Sequence, residues 1–151
     1  MKRSIAVLFA ASAFATVPLA TASAAPAEPM AVNVFKNQAS GQCLDDSIEY
    51  GVRMHPCNGL NFQQWQVLST GTGSPDHEFK NLATGRCIGT EWGNDRVSGG
   101  QCRVSGQSMW RTKRWNDGTF QLNNLWASKC LEHRGSLHVA GCNSSREQSW
   151  L

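Results

Sequence analysis

The stretch FKNQASGQC at residues 35–43 returns as FKNLATGRC at residues 79–87, with Phe, Lys, Asn, Ala, Gly and Cys in register. A looser third copy, FQLNNLWASKC, occupies residues 120–130. Each copy continues to a second cysteine and then, eight residues later, to a tryptophan: Cys57 to Trp65, Cys102 to Trp110, Cys142 to Trp150. Three equal offsets in three copies define a triplicated unit of about forty residues. A unit that small cannot bury its own apolar face, so the three must share one core.

Six cysteines in an exported chain of this size form a disulfide framework, and six thiols have fifteen possible pairings. Because two cysteines fall in each copy, the expected bridges are Cys43–Cys57, Cys87–Cys102 and Cys130–Cys142. Each closes a loop whose closure stabilises the fold by about 3 kcal/mol in the chain-entropy model. Export itself is read from the first residues. Lys2 and Arg3 precede an apolar run from Ile5 to Ala15, followed by Pro18 and the small-x-small signal Ala22-Ser23-Ala24. Residues 1–24 are therefore expected to be a secretory signal peptide, residues 25–31 a flexible lead-in, and residues 32–151 one domain with repeats at about 32–70, 76–115 and 116–151. The expected location is secreted and extracellular.

Local patterns point to strands and tight turns. Val32 to Phe35, Trp65 to Leu68 and Thr119 to Leu122 alternate or nearly alternate between apolar and polar, the period of a half-buried strand. Ser40-Gly41, Asn58-Gly59, Thr84-Gly85 and Asp117-Gly118 supply turn chemistry, the last as a short hairpin between Trp115 and Phe120. No stretch of ten or more residues carries helical apolar spacing, so the class is all-β. Without Lys2 and Arg3, 12 of the 14 basic residues remain against 11 acidic ones, a net charge of +1. Nucleic-acid binding rests on a clustered basic surface, and the single basic run, Arg111 to Arg114, is short. After the leader no second apolar span or amphipathic helix supports membrane insertion. The four histidines show neither zinc spacing nor a neighbouring nucleophile, and the thiols are needed for bridges, so no metal, cofactor or catalytic residue is expected.

Cys43-Leu44-Asp45 with Gln63-Gln64-Trp65, and Cys130-Leu131-Glu132 with Gln148-Ser149-Trp150, resemble the ricin B-type lectin family. The middle copy has Ser108-Met109-Trp110 where that pattern has glutamine. The resemblance spans about Val32 to Leu151 and implies a β-trefoil of about twelve short strands, with Trp65, Trp110 and Trp150 as core and shallow sugar sites in up to three lobes. It also implies, for each competent lobe, an Asp two residues after the first cysteine, a polar residue four before the second, an aromatic two before it, and an Asn three before the tryptophan. A pyranose has one apolar face and a rim of hydroxyls, which such a set matches with a flat platform, a carboxylate and amides.

Carried over in this way, the first lobe offers Asp45, Arg53, His55 and, beside Phe62, Asn61, with Gln63 as support. The third offers Glu132, His138 and Gln148 but has Ala140 at the platform. In the middle lobe Gly89, Gly100 and Gln107 replace carboxylate, platform and Asn, which leaves it a structural role. Tyr50 and Trp92, each one residue before a glycine, are candidate peripheral aromatic contacts. The function expected is a non-catalytic carbohydrate-binding module, monomeric, recognising a glycan or polysaccharide, alone or beside a separate secreted enzyme. The alternative is a degenerate trefoil serving as a protein-binding scaffold or secreted enzyme inhibitor.

Overall fold

A computed structural model describes residues 31–71, 74–103 and 106–151. The expected signal peptide, and the lead-in except Ala31, lie outside the described residues.

The all-β expectation holds. The first lobe contributes β1 (Val32–Asn33), β2 (Cys43–Ser47), β3 (Gly51–His55) and β4 (Trp65–Ser69). The second contributes β5 (Asp76–Asn81), β6 (Cys87–Thr90), β7 (Val97–Gly100) and β8 (Trp110–Arg114), and the third β9 (Phe120–Asn124), β10 (Lys129–Arg134) and β11 (Ser136–Ala140). In place of a twelfth strand, Trp150 makes isolated bridges to Phe120 and to Asn37. Antiparallel pairing runs β1–β4–β5–β8–β9, and Trp150 joins β9 back to the first lobe, with Leu151 and Lys36 exchanging backbone hydrogen bonds at 2.8 and 3.0 Å. That circuit closes a barrel and leaves no edge along it. The hairpins β2–β3, β6–β7 and β10–β11 complete the three lobes of a β-trefoil.

All three disulfides join the expected partners. Each tryptophan of the repeat is fully buried, and its indole N–H donates to the carbonyl of the residue after its lobe's first cysteine: Trp65 to Leu44 at 3.1 Å, Trp110 to Ile88 at 2.9 Å, Trp150 to Leu131 at 3.2 Å. A buried indole needs that acceptor, and all three find it beside the first cysteine although the step from that cysteine to the tryptophan varies, at 22, 23 and 20 residues. Around them pack Phe35, Leu44, Phe79, Ile88, Leu122, Leu131 and Val139.

The third copy takes a register different from the one its phenylalanine suggests. Asn37, Asn81 and Asn124 each stand six residues before the first cysteine, and each donates from Nδ2 to a backbone carbonyl in the preceding lobe: Glu147 at 2.8 Å, Phe62 at 2.7 Å and Gln107 at 2.7 Å. Counting from these asparagines, the residue equivalent to Phe35 and Phe79 is Leu122, buried in the core, while Phe120 sits two positions earlier and only partly buried. The three carbonyls they hold belong to the middle residues of short 3-10 turns, Asn61–Gln63, Gly106–Ser108 and Arg146–Gln148. Three residues leave no periodic signal, so alternation could not reveal these turns.

The Asp117-Gly118 hairpin forms as expected between β8 and β9, with Gly118 at φ 87°. At the turn before each first cysteine the left-handed residue is Gly41, Gly85 and, in the third lobe, Ser128 at φ 52°.

Candidate functional site

Adjacent carboxylates on β2 face different neighbours because successive side chains of a strand point to opposite sides. Asp45 turns into its own lobe, where its side chain is 3% exposed. One oxygen accepts from Arg53 Nε at 3.0 Å and the other from Gln63 Nε2 at 3.4 Å. Asp46 crosses to the second lobe and accepts from Arg86 Nε at 3.1 Å and from the Thr84 hydroxyl at 2.5 Å. The missing side chain of Gly99 leaves room there, since a Cβ at that position would lie 2.7 Å from Arg86 Nε.

Gln63 binds Asp45 to the loop that follows the second cysteine. Its Oε1 accepts from the Asn58 amide at 2.8 Å, while Nε2 also donates to the Pro56 carbonyl at 3.0 Å. The third lobe repeats the arrangement with Gln148, which accepts from the Asn143 amide at 2.8 Å and donates to Glu132 and the Gly141 carbonyl, both at 2.9 Å. Glu132 is further held by Arg134 at 3.3 Å and His138 at 3.5 Å.

In the second lobe the corresponding amide, Arg103, donates instead to Glu78 at 2.6 Å, and the Ser108 hydroxyl donates to the same carboxylate oxygen at 2.5 Å. Glu78, fully buried on β5, therefore takes the acceptor role of the glutamine. Gly89 marks the vacated carboxylate position. A Cβ there would meet the Gln107 carbonyl oxygen at 2.9 Å, so backbone fills the space an aspartate needs. Neither Glu78 nor Asp46 was singled out from the sequence, because neither belongs to the repeated pattern.

At the surface of the first lobe, the Arg53 guanidinium lies 4.5 Å from the centroid of the Tyr50 ring, which is 60% exposed. Asp45 occupies Nε alone, and the terminal nitrogens of Arg53 have no hydrogen bond among the described residues. His55 is half-buried at the end of β3, its Nδ1 3.1 Å from the Pro56 carbonyl, and Asn61 is exposed at the start of its 3-10 turn. The structure thus separates the expected residues of this lobe into a buried pair, Asp45 and Gln63, and a more accessible set, Arg53, His55, Asn61 and Tyr50. In the third lobe Glu132 and Gln148 are buried and His138 is half-buried. His133, next to Glu132 on β10, has its pKa lowered, first by burial and then by the charge of His138 on β11.

Trp92 follows β6 and packs against Trp126, a residue the sequence did not single out, at a centroid distance of 4.9 Å. A signal was present: Trp126 stands where the other two copies have Ala39 and Ala83. Among the described residues no cluster of three or more His, Cys, Asp or Glu forms a metal site, and no helix is long and apolar enough to cross a membrane.

No family model matches the chain, and no curated protein matches it in sequence. Solved structures do match. The designed threefold-symmetric protein ThreeFoil superposes with a TM-score of 0.71 at 17% identity, covering 79% of this chain and 95% of that one. SeviL bound to asialo-GM1 saccharide gives 0.66 at 11% identity, covering 82% and 96%. An endo-β-galactosidase from Clostridium perfringens that releases GlcNAcα1-4Gal gives 0.70 at 15% identity, covering 80% of this chain and only 31% of that one. At such low identities the likeness concerns architecture, and it agrees with the closed barrel, the three hairpins and the threefold hydrogen bonds: the chain is a β-trefoil.

Proposed function

We propose that this chain is a secreted, non-catalytic carbohydrate-binding module whose principal site is in the first lobe. The observation that carries the reading is the Asp45–Arg53–Tyr50 array: a buried carboxylate fixes a guanidinium against an exposed phenol ring. A guanidinium held in one orientation, with free terminal N–H groups, donates to adjacent hydroxyls or to a sugar carboxylate without losing much side-chain entropy on binding. Tyr50 and His55 add ring surface, and Asn61 adds an amide. Asp45 and Gln63 act behind them, by holding Arg53 and the loop after Cys57. Three disulfides suit an extracellular setting. Precedent at the level of fold comes from the neighbour bound to asialo-GM1 saccharide.

The test is a glycan array probed with the wild type, Arg53→Ala and Tyr50→Ala. Tyr50→Ala alters an exposed ring, whereas Arg53→Ala also leaves the buried Asp45 carboxylate without its cation, so the thermal midpoint of each variant is recorded first. In folded protein, glycan signal should fall at least about tenfold for Arg53→Ala, the loss of one charge-assisted contact. Undiminished binding in both variants would remove the site from the first lobe. A second reading, a protein-binding scaffold or enzyme inhibitor, draws on the middle lobe, where Gly89 is walled off by the Gln107 backbone. Absence of any glycan signal, together with capture of a defined secreted enzyme, would favour it.

A further inference from the structure

Trp92 and Trp126 come from different lobes, 34 residues apart in sequence, yet their rings are in contact with an interplanar angle of 39°. They remain 74% and 49% exposed. Single exposed aromatics are ordinary, but two indoles gathered from separate lobes and left in water form a patch that folding alone does not require. The backbone supports the arrangement. Gly93 at φ 73° turns the chain directly after Trp92, and Trp126 lies against Gly106, 3.9 Å from where a Cβ would stand, an ordinary contact distance.

The surroundings are polar and varied. On one side a cavity of about 410 Å³ is lined by Thr90, Glu91, Trp92, Ser98 and Gln101. On the other a cavity of about 390 Å³ is lined by Glu91, Asn94, Asp95, Trp126 and Lys129. Glu91 belongs to both, so the cavities adjoin beside the aromatic pair. The lining carries two carboxylates and one cation: Lys129 Nζ lies 2.6 Å from Asp95 Oδ1, while Glu91 accepts from the neutral amide of Asn94 at 3.2 Å.

We infer that Trp92 and Trp126 form a second, inter-lobe binding surface for a neutral polysaccharide chain, one sugar ring stacking on the indoles while flanking rings reach the two cavities. This inference rests on the carbohydrate-binding reading above and places a site outside the first lobe. Stacking suits the apolar face of a pyranose, and the carboxylates, amides and hydroxyls along both cavities suit its rim. The carboxylate left in excess, Glu91, repels an acidic chain and so favours an uncharged one. Two adjoining cavities, one lined by Trp92 and the other by Trp126, fit an extended polymer better than a terminal monosaccharide. With a separate site in the first lobe, one molecule would engage a polymer at two points and gain avidity.

Native electrophoresis of the full chain through gels containing a soluble neutral β-glucan, arabinoxylan or galactomannan, with polygalacturonate as the acidic control, tests the inference. Four proteins are compared: wild type, Arg53→Ala, Trp92→Ala/Trp126→Ala, and Trp92→Phe/Trp126→Phe, each with its far-UV spectrum and thermal midpoint recorded. Retardation by a neutral polymer should weaken about tenfold in the double alanine variant, with the fold intact, and recover largely in the phenylalanine variant. Retardation that disappears in Arg53→Ala but is unchanged in Trp92→Ala/Trp126→Ala overturns the inter-lobe surface and leaves the first-lobe site standing. Wild type retarded by no polymer overturns the inter-lobe surface and leaves the first-lobe site to the glycan array. Retardation by polygalacturonate alone, or indole-dependent binding to a protein in the absence of glycan binding, overturns the neutral-polysaccharide surface.

Discussion

The first and middle lobes solve one problem with different residues. In each, the amide after the second cysteine must find an acceptor: Asn58 finds Gln63, and Arg103 finds Glu78, which arrives from a different strand. The amide group of Gln63 also donates to Asp45, so carboxylate and glutamine satisfy one another. In the middle lobe both are absent together. Ser108 is too short to support a carboxylate at position 89 and itself donates to Glu78. Gly89 then lets the Gln107 backbone close in. The comparison teaches that the expected sugar carboxylate and the glutamine form one structural unit, kept or lost as a pair.

Restoring half of the unit should be the most damaging test. Gly89→Asp drives a side chain into the Gln107 carbonyl and buries a charge without its glutamine, so it should destabilise the fold by about 4 kcal/mol in chemical denaturation. Adding Ser108→Gln should recover part of that loss if the two positions are coupled; strict additivity would break the comparison. Next come the acceptors themselves. Gln63→Ala and Glu78→Ala each leave a partly buried backbone amide without its acceptor, and each should cost about 1–2 kcal/mol by the same measurement. A cost below about 0.5 kcal/mol at Glu78 would mean that the middle lobe does not depend on it.

Smaller effects probe the third lobe. Ser128 adopts the left-handed conformation that its counterparts Gly41 and Gly85 adopt without strain. Ser128→Gly should therefore stabilise the protein by up to about 1 kcal/mol, visible as a higher thermal midpoint. The least effect concerns His133, whose lowered pKa means that the unfolded chain binds a proton more readily than the folded one. Stability should decline as pH falls through the ordinary histidine range, and His133→Asn should flatten that part of the profile. An unchanged profile would show that burial of this ring carries no proton linkage.

What was legible in the sequence was whatever repeats. The tryptophan frame and the cysteine pairing follow from a pattern stated three times over, and the all-β class from alternation with no helical spacing beside it. Departures from the repeat were harder to place. Phe120 attracts alignment with Phe35, while the cysteine-to-asparagine distance, six residues in every copy, assigns Leu122 instead. Asp45 was identifiable as a candidate carboxylate, but its burial was not, because strand alternation gives a side and not the depth of what covers it. Glu78 was hard to see as a substitute because, counted from the asparagines, its counterparts are Val34 and Gln121, and Gln121 donates to Gln148 instead of replacing it. Trp92 could be flagged by its turn, whereas its contact with Trp126 depends on how two lobes dock.

The three asparagines have a consequence beyond their individual hydrogen bonds. Asn81 grips the first lobe, Asn124 the second, and Asn37 the third, so the clasps run in a circle with no first member. A lobe excised from this ring would lose the hand that holds it and the neighbour it holds. Melting should accordingly proceed as one event throughout the molecule, rather than as the sequential fraying expected of a linear stack of repeats.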